Sequence, residues 1–343
     1  MSASPIYLDH AATTPLLPAA REAMLEGFTI WANPSSPHGP GRKARAALED
    51  ARARVKEALA WQGEVVFTSG ASEALAIAMT RCVLPFAGAS AVEHEAVLRL
   101  TGGSPRLPVD SLGIVDQSSC ALPGLVVVQQ VNSETGVIQP LEAVAEVVRG
   151  AGGLLLADCA QGVGKLALPD ADLVALSAHK FGGPIGIGAL LVRDWAMLKP
   201  SGGQERGYRP GTENLPGAMA MAAALEADRD WLDQAVSQRE RLDEAIALAG
   251  GEAIAHAAGR VPSIAAYRMP GKSAQAQLIR FDAMGIAVSA GSACSSGSLK
   301  ASPVLTAMGY DHPGEVIRVS IGRETTGAEV EQFIAAWREI AGA

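Results

Sequence analysis

The sequence predicts an α/β fold, with a mostly parallel sheet covered by helices on both faces and a smaller α+β unit at the carboxyl-terminal end. Short apolar runs that end in Gly, Ser, Asp or Asn alternate with Ala-rich stretches of helical character. These runs are hydrophobic throughout, which is typical of parallel strands buried on both faces. A chain of 343 residues is long enough for two such units.

The elements of the larger unit follow in order. Apolar residues at helical spacing predict an amphipathic helix over residues 41–60, with charged residues on its other face. Strands and helices then alternate, with strands predicted over residues 64–68, 124–131, 154–157, 173–176 and 188–192 and helices over residues 72–82 and 141–149.

The carboxyl-terminal part has a different character. Long Ala-rich helices are predicted over residues 215–249, followed by a strand at 263–268, a helix at 273–284 and a strand at 287–289. This change indicates a separate, smaller α+β unit. We expect a large domain over residues 14–235 and a small domain formed by residues 1–13 and 236–343.

Charge and cysteine content exclude several function classes. With 36 acidic against 28 basic residues the net charge is -8, so the attraction on which binding to nucleic acids or anionic membranes depends is missing. No apolar stretch approaches membrane-spanning length, and no basic region with an apolar run opens the chain. None of the four cysteines forms a CxxC pair, which argues against a zinc ribbon or a disulfide scaffold. We therefore expect a cytoplasmic protein without a metal site.

Three segments resemble phosphate-binding loops, but only one has the sequence pattern that such a loop requires. Residues 270–273 lack the first glycine of a P-loop, and the glycine-rich residues 182–188 have neither the spacing nor the following helix of a dinucleotide site. Residues 67–73 combine a strand end, a loop of small residues and a helix start, which suits a phosphate group. The alternative is that Ser72 is an ordinary helix cap.

Two side chains next to predicted strand ends suggest cofactor chemistry. Lys180 follows a short apolar strand and precedes two glycines, a good position for a Schiff base, although a solvated lysine at a strand end is the simpler interpretation. Asp158 ends another strand, with Gln161 three residues later. Its carboxylate could pair with a protonated pyridine nitrogen, as pyridoxal phosphate (PLP) sites require, or cap the next turn.

Three further residues are candidates for chemistry. Cys294 lies in a loop without large apolar side chains, which favours an accessible nucleophile over a small buried cysteine. His94 follows an acidic residue and is either a catalyst or a helix cap. Arg318 is a lone cation in an apolar strand, so it needs an anion, either a structural aspartate or a substrate carboxylate. Cys82, Cys120 and Cys159 are interpreted as packing residues.

The order of eleven motifs resembles that of the cysteine desulfurases, PLP enzymes of the class V aminotransferase group. The motifs are YLDHAATTP (residues 7–15), NPSSPH (33–38), TSGASE (68–73), EHEAV (93–97), NSETG (132–136), DCAQ (158–161), SAHK (177–180), GQERG (203–207), GTEN (211–214), SACSSG (292–297) and IR (317–318). The resemblance covers nearly the whole chain and is to the type with a long, Ser-rich cysteine loop. It implies PLP fold type I with a seven-stranded large-domain sheet.

The resemblance also implies roles for individual residues. Lys180 would bind PLP covalently, His94 would stack on its ring and move protons, Asp158 would pair with the ring nitrogen and Gln161 would bind the phenolic oxygen. The phosphate would be bound by Ser72, Ser177 and His179, joined by Thr212 from the second subunit of a homodimer. Ser133 stands where the family usually has an asparagine that contacts the ring. Arg318 would bind the substrate carboxylate with Asn33 nearby, and Cys294 would accept the sulfur.

The activity implied is conversion of L-cysteine to L-alanine, with the sulfur passed to Cys294 as a persulfide. A sulfur-acceptor protein, a scaffold or a thiolation enzyme, would then receive it for iron–sulfur clusters or other thio-cofactors. Two alternatives remain open at this point. One is a PLP-dependent aminotransferase or a lyase of selenocysteine or another β-substituted amino acid, and the other is a non-catalytic relative that acts as an assembly partner.

Overall fold

The computed structural model of the chain describes residues 5–291 and 301–342. The strands are β1 (Ile6–Tyr7), β2 (Glu64–Thr68), β3 (Phe86–Ser90), β4 (Arg106–Leu107), β5 (Leu125–Gln129), β6 (Leu154–Asp158), β7 (Leu173–Ser177), β8 (Gly188–Val192), β9 (Glu252–Ala253), β10 (Ile264–Arg268), β11 (Ile286–Ala287) and β12 (Val316–Ser320). The α-helices are α1 (Pro18–Thr29), α2 (Gly39–Ala58), α3 (Ala71–Arg81), α4 (Glu95–Leu98), α5 (Leu141–Gly150), α6 (Leu215–Leu225), α7 (Trp231–Leu248), α8 (Ala274–Ala283), α9 (Pro303–Ala307) and α10 (Gly327–Ala341).

A seven-stranded sheet forms the centre of the larger unit. Its strand order is β2-β8-β7-β6-β5-β3-β4, and β8 alone runs antiparallel to its two neighbours. The carboxyl ends of β3, β5, β6 and β7 therefore meet at one edge of the sheet. The predicted α/β fold with a mostly parallel sheet is confirmed.

Both faces of this sheet are covered, as the continuous apolar runs predict. Along β5, Val126 and Val128 face a core that includes Leu48 of α2, whereas Leu125 and Val127 face a second core that includes Leu75 of α3. Successive side chains of a strand point to opposite faces, so a strand buried on both sides must be apolar at every position.

Some elements differ from the predictions. Strand β3 was not predicted, because its Phe-Ala-Gly-Ala-Ser sequence has little strand character and the strand depends on pairing with β5 and β4. The predicted strand over 287–289 is wrong in its bounds, since β11 ends at Ala287 and Ser289 forms only an isolated bridge with Arg318. The predicted helical stretch 215–249 is divided into α6 and α7.

The smaller unit is built on a three-stranded antiparallel sheet in the order β12-β10-β9. Stacked aromatic rings of Phe281 in α8 and Phe333 in α10, together with Trp337, fill its core. The amino-terminal strand β1 pairs with β11, so the start of the chain joins this unit. The domain limits stay a prediction, and the expected boundary after residue 235 falls inside α7.

No helix in the described ranges combines the length and the apolar character that crossing a bilayer requires.

Candidate active site

Polar residues of the site lie at the carboxyl edge of the seven-stranded sheet. Asp158 is the last residue of β6 and is paired in register with Gln129 of β5, and Ser177 is the last residue of β7. Lys180 follows in a short 3₁₀ turn over Ala178–Lys180. Parallel neighbouring strands thus bring together side chains that are 22 positions apart in the sequence. The strands predicted over residues 154–157 and 173–176 end one residue before β6 and β7 do.

The amine of Lys180 is bound by two main-chain carbonyls. Its Nζ donates hydrogen bonds to the oxygens of Ala11 at 2.7 Å and Ala12 at 2.9 Å. Burial, aided by the positive charge of Arg318, lowers the pKa of Lys180 to about 8. About a tenth of this amine is therefore neutral and nucleophilic at pH 7, far more than for a lysine with an ordinary pKa.

Asp158 combines a local hydrogen bond with a free acceptor. Its Oδ1 accepts from the main-chain N–H of Ala160 at 2.9 Å, so the capping role considered from the sequence is real. No side chain in the described part of the chain donates a hydrogen bond to this buried carboxylate. Burial raises its pKa, against the effects of the Ala160 N–H, His94 and Lys180. The carboxylate can accept from a protonated ring nitrogen.

His94 caps a helix and also lies close to Asp158 and Lys180. Its Nδ1 accepts from the N–H of Ala96 at 3.1 Å at the start of α4, so the neutral imidazole carries its proton on Nε2. Burial lowers the pKa of His94, with Asp158 opposing and Lys180 adding to the effect. His94 is thus neutral near pH 7 and close enough to both residues to be influenced by their charges.

Gln161 shares an anchor with Lys180. Its Nε2 donates to the carbonyl oxygen of Ala11 at 2.8 Å, the same atom that accepts from Lys180. Its Oε1 is buried and has no hydrogen-bond partner within the described residues. Buried polar groups are nearly always paired, so this orphaned atom indicates a polar group that completes the site.

A small-residue loop adjoins the end of β7. A Cβ on Gly70, whose φ is +155°, would lie 3.4 Å from Ser177 Oγ. Helix α3 begins at Ala71 with Gly70 as its cap and without a side-chain cap, so the alternative of Ser72 as helix cap is wrong. Ser72 lies in the first turn, and neither its hydroxyl nor that of Ser177 has a partner among the described residues. Unpaired hydroxyls beside the start of a helix suit a phosphate.

His179 is fixed by two threonines. Its Nδ1 lies 3.2 Å from Thr13 Oγ1, and its carbonyl oxygen accepts from the N–H of Thr14 at 2.9 Å and from the Thr14 hydroxyl at 3.0 Å. Burial and the charge of Lys180 lower the pKa of His179 to about 4, so the ring is neutral at pH 7.

Arg318 reaches this site from the smaller sheet. Its Nη2 forms a 2.7 Å ion pair with Asp9, and Nη1 donates to the main-chain oxygen of Ser133 at 3.0 Å. Its Nε is buried without a partner in the described part of the chain. Both anions considered from the sequence are therefore compatible with the geometry, because Asp9 uses one N–H of Nη2 and the two terminal nitrogens carry further donors for a substrate carboxylate.

Three predicted residues are not brought into this cluster. The Asn33 side chain is exposed and accepts from the N–H of Ser35 at 2.8 Å, and Thr212 is exposed on a loop. Within the described residues, no contact joins either to Lys180. Cys294 lies outside the described residues. Cys82, Cys120 and Cys159 are free and buried, as predicted for packing residues.

The sequence did not single out the residues that support the site. Asp9 and Thr13 contact Arg318 and His179 with their side chains. Ala11 and Ala12 bind Lys180 through main-chain carbonyls, which carry no chemical signal of their own. The only available signal was the position of this segment in the first of the motifs. Glu93 was also missed: its Oε1 accepts from the N–H of Gln129 at 2.8 Å, and burial raises its pKa well above the usual range.

Comparison with known proteins agrees with this geometry. The family model "Aminotransferase class-V" matches residues 6–99 and 107–333. A cysteine desulfurase of Bradyrhizobium diazoefficiens is 37% identical over 372 residues, which cover 98% of this chain and 94% of that protein.

Solved structures with the same fold include two whose sequences are also similar. A NifS-like protein superposes with a TM-score of 0.88 at 29% identity, over 98% of this chain and 99% of that one. SspA in complex with cysteine superposes with a TM-score of 0.78 at 27% identity, over 94% of this chain and 100% of that one. The chain therefore belongs to the class V aminotransferases of PLP fold type I and, within them, to the PLP-dependent cysteine desulfurases.

Proposed function

We propose that this protein converts L-cysteine to L-alanine and carries the released sulfur as a persulfide on Cys294. The observation that carries the proposal is the meeting of two sets of groups. A buried amine, carboxylate and imidazole at the sheet edge lie within electrostatic range of one another, and Arg318 influences the same amine while keeping its Nε unpaired. The first set suits PLP and the second suits an amino-acid carboxylate.

The residues present fit PLP. Lys180 would bind the aldehyde carbon, Asp158 would accept from the protonated ring nitrogen, and the unpaired Oε1 of Gln161 could accept a hydrogen bond from the cofactor. The unpartnered hydroxyls of Ser72 and Ser177, with His179, would bind the phosphate. When bound, PLP supplies an electron sink that stabilises negative charge at the substrate Cα. Ser133 would contact the ring at the position where relatives usually have asparagine.

The substrate would be oriented by Arg318 and Asn33. Asp9 and the Ser133 carbonyl each take one terminal nitrogen of the guanidinium, so its plane is fixed before the substrate arrives. A fixed guanidinium loses little side-chain entropy on binding a carboxylate, which favours selection of α-amino acids. Asn33 would complete this contact.

Proton transfer would use Lys180 and His94. The pKa of Lys180, lowered to about 8, leaves a neutral amine that can accept the Cα proton. The Nδ1 of neutral His94 is occupied by the Ala96 N–H, so Nε2 is the atom that can donate a proton. These two groups can therefore take opposite parts in acid–base catalysis.

Sulfur transfer would take place at Cys294. Its thiolate forms a bond to the substrate sulfur as the carbon–sulfur bond of the substrate breaks. The electron pair of that bond stays with the carbon skeleton, which takes up two protons in all and leaves as alanine, and the enzyme thiol becomes a persulfide. A thiol of an acceptor protein would then remove the outer sulfur for iron–sulfur clusters or other thio-cofactors.

The assembly would be a homodimer in the cytoplasm. Exposed apolar side chains of α1 and its end, Leu25, Phe28 and Trp31, support a protein contact, with Trp31 82% exposed. The loop that carries Thr212 follows Glu205, whose buried carboxylate is held in place by a 2.8 Å hydrogen bond from Arg52. A firmly based, exposed loop suits a residue that completes the partner's phosphate site. Free buried cysteines agree with a reducing compartment.

The test is alanine released from L-cysteine by the PLP-loaded protein in the presence of a reducing thiol, with Cys294→Ala and Cys82→Ala run beside it. The wild type and Cys82→Ala should form alanine, and Cys294→Ala should form almost none. Equal alanine from all three would favour a lyase for which Cys294 is dispensable. Alanine from none of them would contradict the substrate assignment.

A further inference from the structure

Lys165 is a half-buried lysine next to the proposed cofactor-binding residues, and it has no part in the proposed mechanism. It follows the turn after β6, and its Nζ donates to the main-chain oxygens of Gln161 at 3.1 Å and Lys180 at 3.4 Å. These two acceptors belong to segments that follow different strands, β6 and β7. Lys165 therefore connects two turns whose side chains meet at the site.

The hydrogen-bond partners of Lys165 are unusual for a half-buried cation, because both are main-chain carbonyls. Across the described ranges, Lys165 forms no ion pair with an aspartate or glutamate. Burial, with the charge of Lys180, lowers its pKa to about 7. An ammonium in this position is costly without a carboxylate. An apolar side chain would fill this space as well as lysine does. The two hydrogen bonds to the carbonyls of Gln161 and Lys180 are therefore what the lysine contributes.

The hydrogen bonds form a closed ring around the site. On one side, the Ala11 oxygen accepts from the side chains of Gln161 and Lys180. On the other side, Lys165 donates to the main chains of the same two residues. Once Lys180 Nζ binds a cofactor covalently it keeps at most one N–H, so it cannot retain its bonds to both Ala11 and Ala12. The link through Lys165 does not use that atom and would persist.

We propose that Lys165 is a positioning residue that keeps Gln161 and Lys180 at a fixed separation by binding both of their main-chain carbonyls. The inference rests on the proposed function in one respect, since it takes these two residues to be the PLP contacts. The expected consequence is slower loss of bound PLP, because a fixed pair of contacts need not be ordered again whenever the cofactor partly detaches.

The experiment measures the rate at which PLP leaves the loaded protein when a scavenger traps the free cofactor, together with the melting temperature. Lys165→Met removes both hydrogen bonds at nearly the same side-chain length. Lys165→Gln keeps a hydrogen-bond donor but removes the charge. Gln277→Met is the matched control, because Gln277 is a fully buried side chain of α8 that donates to the oxygens of Lys272 at 2.9 Å and Glu315 at 2.8 Å, away from the site.

We expect PLP to leave Lys165→Met about tenfold faster than the wild type, and Lys165→Gln at a rate between the two. Gln277→Met should melt at a lower temperature and release PLP at the wild-type rate. Wild-type release from Lys165→Met, or equally accelerated release from Gln277→Met, would overturn the proposal. If Lys165→Met does not fold, the comparison of Lys165→Gln with Gln277→Met decides the question in the same way.

This outcome can be told apart from failure of the proposed function. PLP release is measured without any substrate, so it tests Lys165 even if the wild type forms no alanine from cysteine. A wild type that takes up no PLP would overturn both proposals together.

Discussion

The seven-stranded and three-stranded sheets of this protein present their functional groups in different ways. In the seven-stranded sheet, Asp158 and Ser177 are the last residues of β6 and β7, and Lys180 lies in the turn that follows. In the three-stranded sheet, Arg318 is the central residue of β12. Strand ends leave polar groups free to take up a ligand. A cation inside an apolar strand must have protein partners at all times.

One amino-terminal segment supplies partners to both sheets. Asp9 pairs with Arg318 of β12, and the N–H of Ala11 donates to the Oγ of Ser320, also in β12, at 2.9 Å. The carbonyls of Ala11 and Ala12 bind Lys180 of the larger sheet. The comparison teaches that one short segment binds both Arg318 and Lys180 and so sets their relative position.

The largest effect is expected on the side of the larger sheet. Replacing Lys180 by alanine removes the amine that we propose binds PLP covalently, and alanine formation should fall by about a thousandfold or more. The visible absorbance of bound PLP should be lost as well. The exposed lysine variant Lys43→Ala serves as the control. Retained activity in Lys180→Ala would contradict the proposal that Lys180, at the edge of the larger sheet, binds PLP covalently.

A smaller effect is expected on the side of the smaller sheet. Arg318→Ala should raise the KM for cysteine by about 10 to 100-fold, because a charge-assisted hydrogen bond to the substrate carboxylate is lost. Arg318→Lys should recover only part of this, since lysine lacks the planar fork. Arg241, which pairs with Glu331 at the surface, provides the control variant Arg241→Ala. A normal KM in Arg318→Ala would show that Arg318 serves Asp9 alone.

A smaller rise in the KM for cysteine is expected when Asp9, in the segment that contacts both sheets, is changed. Asp9→Asn leaves Arg318 its bond to the Ser133 carbonyl but removes the ion pair at 2.7 Å. We expect a rise of about three- to tenfold in KM, with normal PLP absorbance. Asp228→Asn, at the surface pair with Arg323, is the control. A lower KM would mean that Asp9 competes with the substrate and does not orient Arg318.

The smallest effect concerns the pH dependence of PLP capture. The pKa of Lys180 is lowered from 10.5 to about 8, and only the neutral amine is nucleophilic. The rate at which the apo-protein binds PLP covalently, followed by absorbance, should therefore rise with pH and level off above a midpoint near 8. A rate that continues to rise toward pH 10 would show that the surroundings of Lys180 leave its pKa unchanged.

The sequence predicts those parts of the site that depend on strand ends. Asp158, Ser177 and Lys180 follow continuous apolar runs, and such runs end where polar groups can leave the sheet. It cannot predict Ala11 and Ala12, whose contribution is made by carbonyl groups that every residue has. Strand β3 was missed for a related reason, since its stability comes from neighbouring strands that are distant in the sequence. Tertiary partners of the main chain leave no trace in local composition.

The central claim is sulfur transfer to Cys294, and a single turnover tests it most directly. PLP-loaded protein is mixed with one equivalent of L-cysteine without a reductant, alanine is measured, and the cysteine-containing peptides are examined by mass spectrometry. The account predicts one alanine per sulfur, with the additional sulfur on the peptide that contains Cys294. Alanine formed without this persulfide, or a persulfide on Cys82, Cys120 or Cys159, would contradict it.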